Sequence, residues 1–168
     1  MSLDMSTTTD AVVNLPVQAP KALPDTSPLI SRLVDLFGAT WVDADTIADW
    51  AAQGGDRVVL FAGDAVRFPE GQDVAVVLPE LRRCLSGRFE IGVVQRHLEE
   101  ALARRYGSQR WPTLLFLRDG DYVTTLSGMH DWDVFLQKTE EALAAPKSRA
   151  PTIGIPVVNA NATDSSCH

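Results

Sequence analysis

Two spacings of apolar residues alternate along the middle of this 168-residue chain. In SPLISRLVDLF (27–37) the apolar positions recur at helical spacing behind a Ser-Pro start, and Gly38 follows as a stop, so a helix is predicted there. TWV (40–42) reads as a short strand, and DADTIADWAAQGG (43–55) as a capped helix ending in glycines. RVVLFAG (57–63) is a continuous apolar run, the pattern of a strand covered on both faces. DVAVVLPELRRCL (73–85) returns to helical spacing despite Pro79. FEIGVVQR (89–96) is another strand, and HLEEALARRYG (97–107) a helix stopped by Gly107. PTLLFLRDG and DYVTTLSG pair as an antiparallel hairpin around Asp119-Gly120, a favoured tight-turn pair. DWDVFLQKTEEALAA (131–145) closes the series as a helix whose acidic first turn suits the helix dipole. This order specifies a mixed sheet flanked by helices, an α/β sandwich.

The flanks lack such a pattern. Residues 1–27 are rich in Ser, Thr, Pro and Asp, with nothing periodic to bury, and are expected to form a disordered arm. The tail from 146 to 168 is interrupted by Pro146, Pro151 and Pro156 and is expected to be flexible. Within it IGIPVV (153–158) is the one short apolar piece, suited to docking as an extended strand, although disorder is the preferred reading. The folded domain is therefore placed at 28–145.

Composition narrows the function classes. A net charge of −7 argues against nucleic-acid binding, which normally shows a basic face. It suits a cationic peptide as partner, and equally a simple solubility feature. The two cysteines, Cys84 and Cys167, form neither a disulfide framework nor a zinc spacing. No metal or cofactor is expected. His97 and His130 have no second ligand at metal spacing. The N-terminus lacks an export-signal pattern, and no apolar run approaches the ~20 residues needed to cross a bilayer. A cytoplasmic protein without direct membrane insertion is expected.

RWPTLLFLRDGDYVTTLSG (110–128) resembles thioredoxin. Trp111-Pro112-Thr113 stands where thioredoxins hold a cis-proline, Asp119-Gly120 matches the hairpin turn, and Gly128 matches the glycine before the last helix. RVVLFAG resembles the strand preceding the redox motif, and VAVVLPELRRCL the helix following it, with Pro79 at the kink. The likeness covers about residues 40–145 and implies a thioredoxin-like three-layer sandwich. The departures carry as much information. Where thioredoxins place Cys-Gly-Pro-Cys, this chain has Gly71-Gln72-Asp73-Val74. The buried acid that assists proton transfer in thioredoxins would fall near Leu60. Nucleophile, resolving thiol and proton acceptor are thus all expected to be missing, and exchange needs a thiolate attacking a disulfide. The scaffold is predicted to be redox-inactive.

A redox-inactive thioredoxin-like chain with polar tails and the loop FPEGQDVAVVLPELRR resembles the HyaE/HupG (HoxO) family of hydrogenase expression proteins. That resemblance implies a non-enzymatic chaperone in nickel–iron uptake hydrogenase maturation. The implied partner is the hydrogenase small-subunit precursor, through its twin-arginine signal peptide or its folded part, with a second hydrogenase accessory protein as a further candidate. A cis Trp111-Pro112 bond, implied by the resemblance to thioredoxin, would let an extended peptide pair beside it by strand addition. The expected groove lies between Gly71, Gln72, Asp73, Val74, Trp111, Pro112, Gly128 and Met129. Trp111 and Met129 would offer apolar contact, and Asp64, Glu70 and Asp73 would attract paired arginines.

Plainer readings stand beside these. Cys84 is expected as a small apolar residue on the core face; exposed, it would open the alternative of a monothiol redox enzyme. A domain that only dimerises is a further alternative. Trp41 and Trp50 are expected to pack in the core and Trp132 to take part in the packing of the last helix. The acidic residues of the 64–73 loop also read as solvated charges.

Overall fold

Ser27 starts the first helix with its own side chain: its Oγ accepts the Leu29 N–H at 3.2 Å, and Pro28 needs no donor partner at the first position. The computed structural model describes residues 26–152, so the expectations for residues 1–25, for IGIPVV and for Cys167 lie outside the described residues. Helix α1 (Pro28–Phe37) ends at Gly38, whose φ of 68° turns the chain into the left-handed region and whose N–H closes on the Leu33 carbonyl. Strand β1 (Thr40–Trp41), helix α2 (Ile47–Ala52), strand β2 (Asp56–Phe61) and helix α3 (Glu70–Cys84) follow. Strand β3 (Phe89–Val93), helix α4 (Arg96–Arg105), the hairpin β4 (Thr113–Arg118) and β5 (Asp121–Ser127), and helix α5 (Trp132–Ala144) complete the domain.

The strands form one sheet in the order β1-β3-β2-β4-β5. β3 runs parallel to β1 and β2, whereas β4 is antiparallel to both β2 and β5. Alternation along the central strands divides the core in two. Val58, Leu60, Phe89, Ile91, Leu114 and Phe116 face one side, where they meet Leu33, Leu78, Leu81 and Phe135 of α1, α3 and α5. Val59, Phe61, Leu115 and Leu117 face the other, against Ile47, Trp50, Leu102 and Ala103 of α2 and α4. Both faces of β2 are thus covered, as its uninterrupted apolar run requires. The result is the three-layer α/β sandwich.

Local departures from expectation have physical reasons. α2 is shorter than 43–55 because Asp43 turns its carboxylate on the N–H groups of Asp45 and Thr46 and opens a separate turn. α3 starts at Glu70, three residues earlier than the apolar pattern, and carries Pro79 within its length. Cys84 is exposed rather than buried: the buried stripe of α3 passes from Val74 through Leu78 and Leu81 to Leu85, which turns Cys84 outward. Trp132, the first residue of α5, is 41% exposed and lies outside the core residues with which that helix packs. Trp50 is buried and Trp41 packs against the core, as expected.

Candidate functional site

The loop from Ala62 to Pro69, between β2 and α3, stands beside the start of β4, where Trp111-Pro112 is a cis peptide. Pro112 is buried and its carbonyl accepts the Gly128 N–H at 2.8 Å, which ties the end of β5 to this corner. The Thr113 hydroxyl adds bonds to the Arg110 carbonyl at 2.7 Å and to Ser127 Oγ at 2.8 Å. Among the described residues the main-chain groups of Trp111 itself have no hydrogen-bond partner. Its ring lies over Phe68 with centroids 5.8 Å apart. Together Phe68, Gln109, Arg110, Trp111, Ser127 and Gly128 line an open groove of ≈ 350 Å³, and Met129, 38% exposed, follows directly.

The predicted site residues separate into four groups. Trp111, Pro112 and Met129 stand at this groove. Gly71 and Val74 face inward: Val74 belongs to the core, and a Cβ on Gly71 would lie 2.0 Å from the Ala62 carbonyl oxygen. Gly71 therefore lets α3 start against β2. Glu70 and Asp73 are exposed in the first turn of α3. Asp64 and Gln72 line a second cavity of ≈ 330 Å³ on the other side of the loop, shared with Ser27, Ala62, Arg96 and Glu99. There Ser27 Oγ bonds Gln72 Oε1. The Asp64 Oδ1 accepts the N–H groups of Val66 and Arg67, each at 2.9 Å; these bonds hold its pKa below the usual carboxylate value.

The wall of this second cavity holds a group that the apolar pattern did not single out. Glu99 on α4 is 2% exposed. One carboxylate oxygen accepts Ala62 N–H at 2.7 Å and the other Gly63 N–H at 2.9 Å. Arg96 stands 4.0 Å away. Burial pushes the Glu99 carboxyl up to about 7, against the lowering effect of the two backbone donors, Arg96 and Trp111. Trp111 is near enough to favour the anion, but its buried Nε1 completes no hydrogen bond of good geometry. A Cβ on Gly63 would lie 2.9 Å from both Phe68 and Trp111. Glu99 therefore fixes the backbone on which the stacked pair rests. The position of the thioredoxin acid is indeed the buried, apolar Leu60, but a buried carboxyl group, which the expectation of a missing proton acceptor did not foresee, arrives from the neighbouring helix. The sequence signal for it is faint: on a helix charged on most faces, the buried face that holds Glu99 is marked only by Leu102 and Ala103.

Chemically, the groove offers two aromatic faces, an exposed thioether and unpaired main-chain groups, with acidic side chains at the adjacent helix start. Surfaces of this chemistry can hold an extended chain. Cys84 lies at the far end of α3, roughly 20 Å along the helix from Glu70, and no thiol stands near Trp111-Pro112 among the described residues. No helix among them is long and apolar enough to cross a membrane.

Residues 29–135 match the family described as hydrogenase-1 expression protein HyaE. The chain is 52% identical over 163 residues to the hydrogenase expression/formation protein HoxO of Cupriavidus necator, covering 96% of this chain and 99% of that one. It is 36% identical over 127 residues to the hydrogenase expression/formation protein HupG of Bradyrhizobium diazoefficiens, covering 72% and 84%. Among solved structures, a mutant thioredoxin from Halobacterium salinarum superimposes with a TM-score of 0.50 at 20% identity, over 62% of this chain and 90% of that one. The fold is thioredoxin-like.

Proposed function

The chain belongs to the HyaE family of hydrogenase expression proteins, and from its role in hydrogenase maturation we propose that it acts as a non-catalytic cytoplasmic holder of an extended segment of a hydrogenase component. The client is the small-subunit precursor, gripped through its twin-arginine signal peptide. The observation that carries this reading is the open groove at Trp111-Pro112, with Phe68, Trp111 and Met129 available for apolar contact and no cysteine beside it among the described residues. An apolar stretch of the client would lie against these three side chains. The exposed Glu70 and Asp73 would meet its arginines, speeding encounter and selecting for positive charge.

The variant Met129→Asp with Asp73→Lys changes two exposed side chains and leaves the packing of the domain alone. Tagged wild-type protein should co-purify the precursor from hydrogenase-expressing cells. The double variant should recover at least tenfold less at equal expression. Wild-type recovery by the double variant would remove the groove from the account.

A further inference from the structure

The described chain does not stop at the end of α5. From Pro146 it turns back along the hairpin. Lys147 Nζ pairs with Asp119 at 3.3 Å and Asp121 at 3.1 Å at the hairpin turn, and the Ser148 N–H bonds the Tyr122 carbonyl at 2.7 Å on β5. Pro151 then lies against Gly107: a Cβ on that glycine would fall 2.6 Å from the Pro151 carbonyl oxygen. Gly107 follows α4 and begins the segment 107–112 that leads directly to the groove. The tail has thus been carried from the hairpin turn to within four residues of Trp111, and the next six residues after Thr152 are IGIPVV.

We propose that residues 153–158 of this chain are themselves an occupant of the groove at Phe68, Trp111 and Gly128, a resident strand that an incoming client must displace. The inference deepens the reading of this groove as a peptide-holding site, and rests on it for the client's part. Reach allows it. Four residues from Gly107 to Trp111 span at most about 14 Å, and the chain from Pro151 to Ile155 covers the same length. Chemistry allows it too, since Ile153, Ile155, Val157 and Val158 are apolar and the groove's walls include two aromatic rings. Pro156 lacks an N–H, which limits how far such a strand can extend its pairing. The anchors at Lys147, Ser148 and Pro151 hold the segment close, and a short tether of this kind gives an effective concentration in the millimolar range. A strand of modest intrinsic affinity is then sufficient. If it fills the groove about nine times in ten, client affinity falls about tenfold.

The full-length chain with Ile153→Asp and Ile155→Asp provides the test, with a chain ending at Thr152 as the second variant, since both keep every anchor. Amide and indole NMR signals of Phe68, Gln109, Trp111 and Gly128 are compared with wild type. A synthetic peptide of residues 152–159 is then titrated into each protein. The expected result is a change of those signals in both variants, reversed by the peptide, with little response from wild type. Unchanged signals in both variants overturn the proposal. So does a peptide response centred on the exposed α1 and α3 residues Leu36, Phe37 and Val76, or signal changes that track protein concentration and therefore report a second copy. Precursor capture is read separately. If the signals move as expected while the variants bind precursor no more tightly than wild type, the tail proposal stands and the client reading of the groove fails.

Discussion

Glu99 joins two elements through an ionisable group, and so gives the fold a pH dependence of unusual sign. Two backbone donors and Arg96 at 4.0 Å favour its anion, yet burial outweighs them and the carboxyl rises from an ordinary 4.5 to about 7. A raised carboxyl means that the folded state holds this proton more tightly than the unfolded chain. Its contribution to stability is full below about 4.5 and is lost as pH rises through 7, a difference on the order of 3 kcal/mol. Asp43, Asp64 and Asp119 act in the opposite sense. Backbone N–H groups of Thr46, Arg67 and Gly55, respectively, lead in holding their pKa values down, so their contributions fade only on acidification below the usual carboxylate range. Of these four carboxyl groups, Glu99 is thus the one whose contribution changes between about pH 5 and 7. Glu99→Gln should abolish most of the wild-type decline across it, and should be less stable than wild type at about pH 5 because the amide offers one acceptor oxygen where two N–H groups need one each. Urea midpoints at about pH 5 and pH 7.5 measure both effects. Equal declines in the two proteins would show that the proton is held elsewhere.

At the scale of elements, α5 ends with no basic residue in its last turn, and Arg118 from β4 serves its carbonyls instead. Its guanidinium bonds the Ala145 carbonyl at 2.9 Å, the Leu143 carbonyl, and Asp56 Oδ1 at 2.7 Å. One side chain thus holds the hairpin, the start of β2 and the end of α5. Arg118→Met should cost about 3 kcal/mol, because two carbonyls and a carboxylate lose a charged donor together. Arg118→Lys should recover less than half, having one point charge in place of a planar fork. Chemical denaturation of the three proteins decides this. The elements themselves were largely legible in the sequence. Strands covered on both faces leave long apolar runs, and Asp119-Gly120, with φ of 51° and 90°, is a turn written in residue types. What periodicity could not show is where a helix outruns its cover. Trp132 keeps helical spacing with Phe135, but spacing says nothing about how far the sheet beneath extends. Glu99 was hidden for the opposite reason: its helix is charged on most faces, and the buried face is marked only by Leu102 and Ala103 at the following turn. The groove was legible through Trp111-Pro112, whereas Phe68 entered it from a loop that has no period to read.

For the whole molecule, the arrangement separates the groove from the one described thiol by the length of α3. The groove gathers at the start of that helix, where the loop after β2, the segment before β4 and the end of β5 converge. Cys84 lies at the other end, exposed beside Arg83, whose guanidinium is already engaged by Glu80 at 2.6 Å. A thiol-exchange reading needs client and thiolate within bonding distance of each other, and a helix of fifteen residues stands between them. The holding and the thiol chemistry are then independent variables. Maleimide labelling of Cys84, or Cys84→Ser, should leave precursor recovery within about twofold of wild type, while Met129→Asp with Asp73→Lys should lose it with Cys84 intact. Disulfide reduction assayed on the same samples should be at background in all of them. A loss of precursor recovery on labelling that Cys84→Ser reproduces would mean that the far end of α3 touches the client. The client would then have to extend over the α1 and α3 face as well, where Leu36, Phe37 and Val76 are exposed, and the groove would account for only one part of the grip.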